Sequence, residues 1–520
     1  MPIRARRTVL PLLVLLVSCA PPQPARPVAR REPASPIDTT LIRGYTRFLS
    51  DDALAGRGTG TREADVAALY IQSACIALGL GPVTAAGYMQ PVPLHRSMIK
   101  GDGTVLTLRG PRGERRFAYR DAFIPNLGLR DDVTLGGPAV LIGTAQDVTT
   151  GKTATLNLSG AIAVILGPAP DAVDATLLAR GAIALMQVTG DQEQFALYVR
   201  SRGESRLALA DSTIKRSYGS SLTSIVASPA LARDLFRDLR SDQPAALPDS
   251  IFLSVRSERL AVTSSNVGCL VRGSDENARD TAIAYTAHYD HLGIGVPDAR
   301  GDSIYNGFSD NAAGVAMLLA IGDALNRPTV RPRHSVLLLF FTGEEAGLLG
   351  SDFYVAHPSW PLERIRGVIN LDAGAPPARP WSWRLAGGDG DSWLGQVGQD
   401  VAASRGWSAT TSAATPNSDY FPFHRLGVPA IFIVPGSAPY QGLSVDSSQA
   451  LRRRWDHYHE AADEWAEDFP FEGLGRYAEL AYDIGLAVDD PRSLLPRVRG
   501  RGGNRAGGRK AVAPSGDRAP

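Results

Sequence analysis

The chain has 520 residues, of which 44% are apolar and 21% are charged, and its 54 basic residues nearly balance its 53 acidic ones. This ordinary composition excludes wholesale disorder, collagen-like repeats and a multi-span membrane protein. The net charge of +1 gives no general argument for nucleic-acid binding. The length predicts two or three domains. The 3 cysteines exclude a disulfide-rich scaffold and a four-thiolate zinc site.

The first segment, residues 1–19, has the pattern of an export signal. Three arginines precede an apolar run, Val9 to Val17, that is too short to span a bilayer as a helix. The run ends in Leu-Val-Ser-Cys19, which resembles the lipobox of bacterial lipoproteins and implies lipidation of Cys19. A lipid chain anchors a protein to the membrane without spanning it. We therefore expect an exported, membrane-anchored protein of the bacterial cell envelope that faces the periplasm. Ordinary cleavage near Ala20, and hence secretion, is the alternative.

The remaining segments differ in composition. They are a Pro-rich linker (20–37), the N-terminal part of the main domain (38–120), an inserted small α+β domain (121–260), the rest of the main domain (261–490) and an Arg- and Gly-rich tail (491–520). The insert contains no histidine, and its short β-like runs are separated by Gly, Pro and Asp. The tail is expected to be disordered and solvated, with no specific nucleic-acid partner.

In the main domain, apolar strand-like runs alternate with helical patterns. Strands are predicted at 282–287, 335–341, 368–371 and 430–434, and helices at 311–325 and 471–488. The run Ser335–Phe341 is apolar at nearly every position, which is typical of a central parallel strand covered on both faces. The pattern predicts an α/β fold with a mostly parallel twisted sheet flanked by helices. Cys75 and Cys269 could form a disulfide in an oxidising compartment or remain buried thiols.

Polar side chains gather at the ends of these elements. The segments are His288-x-Asp290, Asp310-Asn-Ala-Ala-Gly, Thr-Gly-Glu344-Glu345, Asn-Leu-Asp372 and Tyr458-His459-x-x-x-Asp463. Sites in open α/β sheets form outside the carboxyl ends of strands, so these segments can converge in space. Imidazoles and carboxylates are the ligands of a zinc-type ion. Adjacent glutamates alone are usually a solvated face, but five such segments in these positions make coincidence improbable.

The order of these motifs resembles the co-catalytic zinc aminopeptidase family, which includes bacterial leucyl aminopeptidases, yeast aminopeptidase Y and the glutamate carboxypeptidase branch. The resemblance covers roughly residues 40–120 and 260–490, and Leu49–Gly60 resembles the opening segment of its members. The insert resembles a protease-associated domain. The resemblance implies the zinc exopeptidase fold, two Zn²⁺ per chain, peptide substrates and metallo-aminopeptidase activity.

The resemblance also implies a ligand set. His288 and Asp372 would bind one zinc ion, Glu345 and His459 would bind the other, and Asp310 would bridge the two. His457 competes with His459 for the last position, but the Tyr-His-x-x-x-Asp register favours His459.

The remaining roles follow from the same comparison of motifs. Glu344 would be the general base, Asp290 would orient His288, and Tyr458 would polarise the scissile carbonyl. Ser418, Asp419 and Tyr420 resemble the substrate-pocket loop, although relatives often have histidine at the position of Tyr420. A glutaminyl cyclase-like acyltransferase, a carboxypeptidase-type relative and a metal-free binding protein are the alternative functions.

Overall fold

A computed structural model describes residues 35–126, 132–202, 205–217, 222–237 and 243–490. The predicted export signal with Cys19, most of the linker, and the tail lie outside these residues.

The helices of the described residues include the two predicted in the main domain, at 311–325 and 471–488, within two residues at each end. The described helices are α1 (Thr39–Leu49), α2 (Arg62–Ala77), α3 (Ala145–Thr149), α4 (Asp171–Ala179), α5 (Gln192–Arg202), α6 (Pro229–Leu235), α7 (Ala313–Asn326), α8 (Leu349–Ala356), α9 (Trp393–Ser404), α10 (Tyr420–His424), α11 (Val445–Trp455) and α12 (Glu472–Asp489).

The strands include all four that the apolar runs of the main domain predict. They are β1 (Gly81–Pro82), β2 (Met89–Gly110), β3 (Gly113–Ala118), β4 (Phe123–Asn126), β5 (Val133–Gly143), β6 (Ile162–Leu166), β7 (Ala184–Val188), β8 (Ser205–Leu209), β9 (Thr223–Ala227), β10 (Ala245–Val271), β11 (Ala282–His288), β12 (Gly293–Ile294), β13 (Ile304–Tyr305), β14 (Ser335–Phe341), β15 (Ile365–Leu371), β16 (Ser382–Ala386), β17 (Ser408–Ser412) and β18 (Ala430–Pro435).

The centre of the main sheet is parallel. Its order is β17-β16-β18-β15-β11-β14-β10, and β18, β15, β11 and β14 run in the same direction. β10 and β16 are antiparallel to their inner neighbours. The α/β fold class predicted from the strand–helix alternation is therefore confirmed.

Helices cover both faces of this sheet, and β14 shows how the sequence produces this arrangement. Its alternate residues Val336, Leu338 and Phe340 belong to the core beneath α7 and α12. The residues between them, Leu337, Leu339 and Phe341, belong to the core beneath α8 and α10. Because successive strand side chains point to opposite faces, a strand buried on both sides must be apolar throughout.

α7 packs in the middle of the first core. The stretch Phe308–Asn326 is long and apolar enough to cross a membrane by length and composition, yet 94% of it is buried inside the protein. A helix that is apolar around its whole circumference is buried on all sides, so we assign α7 as the central helix of the domain core.

The insert has its own core, which extends beyond the predicted boundary at residue 121. Its parallel strands β5, β6, β7 and β9 are joined by helices. Leu106 and Leu108 on β2 and Ile251 and Leu253 on β10 pack into this core. β2 and β10 pair along most of their lengths, so they connect the main domain and the insert as one continuous ribbon.

A disulfide joins α2 to the sheet. Cys75 and Cys269, both fully buried, form a bond between residues 194 positions apart in sequence. Of the two arrangements left open by the sequence, the structure has the paired one.

Replacing both Cys75 and Cys269 with alanine is expected to lower the free energy of unfolding by about 2–4 kcal/mol, because the cross-link restricts the unfolded chain. Urea unfolding measures the change. Dithiothreitol should lower the stability of the wild-type protein to that of the double variant and leave the variant unchanged. Equal stability of the two proteins without reductant would contradict the cross-link.

Candidate metal centre

The candidate site lies at the carboxyl ends of three adjacent parallel strands. His288 is the last residue of β11, Asp372 directly follows β15, and Glu344 and Glu345 follow β14 after a two-residue turn. His288 lies opposite Phe341, the last residue of β14, in the sheet register. Parallel strands end at the same edge, so the fold brings these segments together.

Asp310 lies between two groups of side chains. Its Oδ1 is 3.1 Å from His288 Nε2, and that nitrogen is 2.9 Å from Asp372 Oδ1. Its Oδ2 is 3.1 Å from His459 Nε2, and that nitrogen is 3.3 Å from Glu345 Oε2. Each oxygen of one carboxylate therefore belongs to a different cluster of metal-type donors.

These clusters fit zinc. Ligands about 2.1 Å from a tetrahedral ion lie about 3.4 Å from one another, which is near the spacings at Asp310. His459 Nε2 is buried, faces two carboxylates and has no hydrogen-bond partner. In its neutral form, an imidazole nitrogen placed in this way offers its lone pair to a metal ion.

The electrostatics of the site follow from burial and proximity. Burial opposes ionisation of Asp310, but the imidazoles of His288 and His459 hold its pKa well below the usual range. Burial likewise opposes the charge on His459, yet Asp310 and Glu345 raise its pKa to about 10. In Glu344, burial and the neighbouring carboxylates Asp372 and Glu345 raise the pKa well above the usual value.

Asp290 contacts two parts of the site. Its backbone carbonyl lies 3.1 Å from His288 Nδ1, while its carboxylate Oδ1 is 3.8 Å away from that nitrogen. The carboxylate instead accepts hydrogen bonds from Thr59 Oγ1 at 2.6 Å and from Glu344 N at 3.3 Å. The main chain of Asp290 thus orients His288, and its side chain holds the turn that carries Glu344.

A buried hydrogen-bonded chain supports Asp372. Thr286 Oγ1 donates to Asn370 Oδ1 at 2.6 Å, and Asn370 Nδ2 donates to Ser418 Oγ at 2.7 Å. Ser418 Oγ then donates to Asp372 Oδ2. Ligand orientation of this kind commonly affects metal affinity.

Asp419 and Tyr420 are buried beside this chain. Asp419 accepts a hydrogen bond from Ser351, and the Tyr420 hydroxyl donates to Thr415 O at 3.0 Å. Burial raises the pKa of Asp419 to about 8. The residues predicted to line the pocket, Ser418 to Tyr420, are each 0% exposed, so their contacts here are internal ones behind Asp372.

The two histidines in the segment after α11, His457 and His459, have different contacts. His457 contacts Arg454 O at 3.0 Å and Glu460 at 3.2 Å, outside the two donor clusters. Tyr458 is 67% exposed, and its ring stacks on that of His459 at 3.8 Å.

Several residues that hold the site together are not among the ligand and catalytic residues predicted from the sequence. His291 Nδ1 lies 2.6 Å from Glu345 Oε1, whereas His459 faces the other oxygen of that carboxylate. The Asp463 carboxylate accepts the N–H groups of Ser309 and Asp310 at 3.0 and 3.2 Å. Asp463 is the last residue of the Tyr-His-x-x-x-Asp motif, so its position in that motif could have identified it from the sequence. Arg57, in the opening segment, is fully buried next to the site.

Comparison with known proteins agrees with the motifs. Residues 266–484 match the model of peptidase family M28. The matched segment contains His288, Asp310, Glu345, Asp372 and His459. The family model thus matches the part of the chain in which the metal-ligand motifs lie.

Curated relatives match over shorter segments. The probable leucine aminopeptidase 2 of Aspergillus oryzae is 32% identical over 145 residues, which are 28% of this chain and 26% of that protein. Aminopeptidase YwaD of Bacillus subtilis is 30% identical over 162 residues, 29% of this chain and 32% of that protein. The chain thus spans less than a third of the length of these two relatives.

A solved structure matches nearly the whole fold. The aminopeptidase from Aneurinibacillus sp. strain AM-1 aligns with a TM-score of 0.54 and 19% identity, over 87% of this chain and 94% of that one. At this identity the likeness establishes the architecture, which includes the predicted α/β sheet.

Replacing Asp310 with Asn is expected to lower the zinc content, because the neutral amide removes the charge shared by both clusters. Metal analysis after dialysis against buffered zinc measures the content. Asp323→Asn, on the same helix-containing segment but paired with Arg327 at 2.6 Å, is the matched control and should keep the wild-type content. Wild-type zinc content in Asp310→Asn would contradict the bridging position.

Proposed function

We propose that the protein is a zinc-dependent metallo-aminopeptidase that removes N-terminal residues from peptides and binds two zinc ions. The observation that carries the proposal is the position of Asp310, whose two carboxylate oxygens face His288 and His459 separately. One carboxylate shared by two sets of donors is the arrangement that two closely spaced ions require. The family match over residues 266–484 and the relatives named as aminopeptidases support the same activity.

The described residues divide into two ligand sets. His288 and Asp372 would hold one ion with Asp310. Glu345 and His459 would hold the other ion, also with Asp310. When bound, the ions supply Lewis acidity, which makes water a nucleophile near neutral pH and polarises the substrate carbonyl.

We infer that Glu344 moves the proton. One of its carboxylate oxygens lies within 4.8 Å of donor atoms of His288 and Glu345, and its backbone N–H is held by Asp290. The raised pKa, caused by burial and by the nearby carboxylates, suits a group that accepts a proton from the attacking water. Glu344 then passes that proton to the amine leaving group.

Tyr458 completes the proposed set. Its exposed ring stacks on the His459 imidazole. This stacking would hold the Tyr458 hydroxyl on the solvent side of the proposed metal site. From this position the hydroxyl would donate a hydrogen bond to the scissile carbonyl oxygen as negative charge develops there.

Glu344→Gln is expected to keep the zinc content and lose about 10²–10⁴-fold of turnover, because the amide cannot accept the water proton. A panel of aminoacyl-nitroanilides, with and without a chelator, measures the turnover. The wild-type protein should hydrolyse the panel, and the chelator should abolish that activity.

Glu363→Gln, on the exposed turn before β15, is the matched control and should retain wild-type turnover. Wild-type turnover in Glu344→Gln would exclude Glu344 as the base. An N-terminal glutaminyl peptide in the same panel tests the alternatives: cyclisation without nitroanilide hydrolysis would replace the aminopeptidase assignment with a cyclase.

We also infer that the protein acts in the bacterial cell envelope, anchored through Cys19, and that its insert is a protease-associated domain. The export signal and lipobox pattern support the location, and so does the disulfide, since such bonds persist in oxidising compartments. Cys19→Ser is expected to move the protein from the membrane fraction to the soluble fraction. Immunoblots of fractionated cells measure this, and a variant that stays membrane-bound would contradict the anchor.

A further inference from the structure

Arg57 is a fully buried cation on the segment that precedes α2. It is 0% exposed, and its guanidinium group is surrounded by backbone carbonyls. Nε donates to Tyr289 O at 2.7 Å, and Nη1 donates to Leu49 O at 2.9 Å and to Asn306 O. Nη2 donates to Gly307 O at 2.6 Å and lies 3.4 Å from Asp310 O.

Most of these carbonyls belong to the two loops that carry metal ligands. Tyr289 lies between His288 and Asp290, and Asn306 and Gly307 begin the turn that presents Asp310. Tyr289 and Asn306 lie outside regular secondary structure, so their buried carbonyls need donors from elsewhere. Gly307 O also accepts a hydrogen bond from Ala312 N at 3.2 Å. A guanidinium group has five N–H donors in a fixed plane and can serve several acceptors at once.

The chain makes a specific turn to place this side chain. Ala55, Gly56 and Arg57 all have positive φ angles, 41°, 69° and 43°. A Cβ at Gly56 would lie 2.5 Å from Tyr305 O and 2.6 Å from Gly293 O, so only glycine allows the segment to pass so close to the β12–β13 hairpin.

The same segment makes further contacts with the His288 loop. Arg57 O accepts a hydrogen bond from His291 N at 3.3 Å. Thr59 donates to Asp290 at 2.6 Å. The opening segment therefore contacts the metal loops through both its backbone and its side chains.

The charge of Arg57 is opposed by burial and supported by acids on several elements. The carboxylates that face it are those of Asp310, Asp463, Asp290 and Glu345. Burial lowers the pKa of Arg57 to about 10, so the group remains protonated at neutral pH.

Two effects on metal binding thus oppose each other. The positive charge of Arg57 near the ligands repels zinc. Its hydrogen bonds hold both loops in place, which lowers the conformational entropy cost of bringing the ligands together. The hydrogen bonds to both loops favour the second effect, because an unpaired buried carbonyl would leave each loop free to shift.

We propose that Arg57 is a positioning residue that joins the His288 and Asp310 loops at ligand spacing and thereby raises the affinity of the site for zinc. This inference rests on the proposed function, which requires a zinc site, but it concerns a residue that contacts neither metal nor substrate.

The test measures zinc affinity by competition with a chromophoric chelator, using the whole protein and no substrate. Arg57→Met keeps the length of the side chain and removes its donors, and it should bind zinc about 10–100-fold more weakly. Arg57→Lys keeps the charge but replaces the planar fork with one ammonium group, so its affinity should lie between that of the Met variant and wild type.

Arg476→Met is the matched control. Arg476 lies on α12 and is also buried, at 4% exposed. Its guanidinium carbon lies 4.6 Å from the centroid of the Trp407 ring. The control should unfold at a lower temperature than wild type yet keep zinc affinity within about threefold, because a purely structural loss leaves the loops in place. Thermal unfolding of each metal-free protein measures the structural effect separately.

Unchanged or stronger zinc binding by folded Arg57→Met, or the same loss in Arg476→Met, would overturn the inference and leave the proposed function intact. If Arg57→Met does not fold, Arg57→Lys decides: wild-type affinity in that variant overturns the inference, and weaker binding supports it. A wild-type protein that binds no zinc would overturn the proposed function, and this inference with it.

Discussion

Four carboxylates crowd one edge of the sheet, and the structure around them depends on how their charges are balanced. Glu344 lies near Asp372 and Glu345, and Asp310 lies near Glu345 and Asp372. Two like charges about 4 Å apart repel by about 4 kcal/mol at an effective dielectric constant near 20. A whole domain is stable by only about 5–15 kcal/mol. Counter-charge at this edge is therefore essential, and the imidazoles, Arg57 and the proposed metal ions supply it.

The fold keeps these groups in position with a layer of buried hydrogen bonds. The chain from Thr286 to Ser418 fixes Asp372, and Asp463 holds the backbone of Asp310. None of these supporting groups needs to touch a substrate. They matter because a ligand held in one orientation does not have to be ordered when the metal binds.

The insert also contacts the turn that carries Glu344 and Glu345. Arg216 donates to the carbonyls of Ala346 and Gly347 at 3.3 and 3.1 Å, directly after Glu345. Ser217 donates to Asp352 on α8 through its backbone and its hydroxyl, at 2.7 and 2.6 Å. Arg425 Nη2 also donates to the Asp352 carboxylate, at 3.0 Å. The insert is thus attached beside the turn that holds Glu344 as well as through β2 and β10.

The net charge of +1 gives no information about the carboxylate-rich site, because it averages over all 520 residues. Sequence by itself determined the four parallel strands at the centre of the main sheet, since a strand such as Ser335–Phe341 must be apolar on both faces. It also determined which residue types end those strands. Tertiary structure alone decided that Asp290 orients His288 through its carbonyl, that Ser418 supports Asp372, that Cys75 pairs with Cys269 and that Arg57 joins two loops. The physical reason is range: side-chain alternation along a strand is local and visible in sequence, whereas these contacts join residues that only the folded chain brings together.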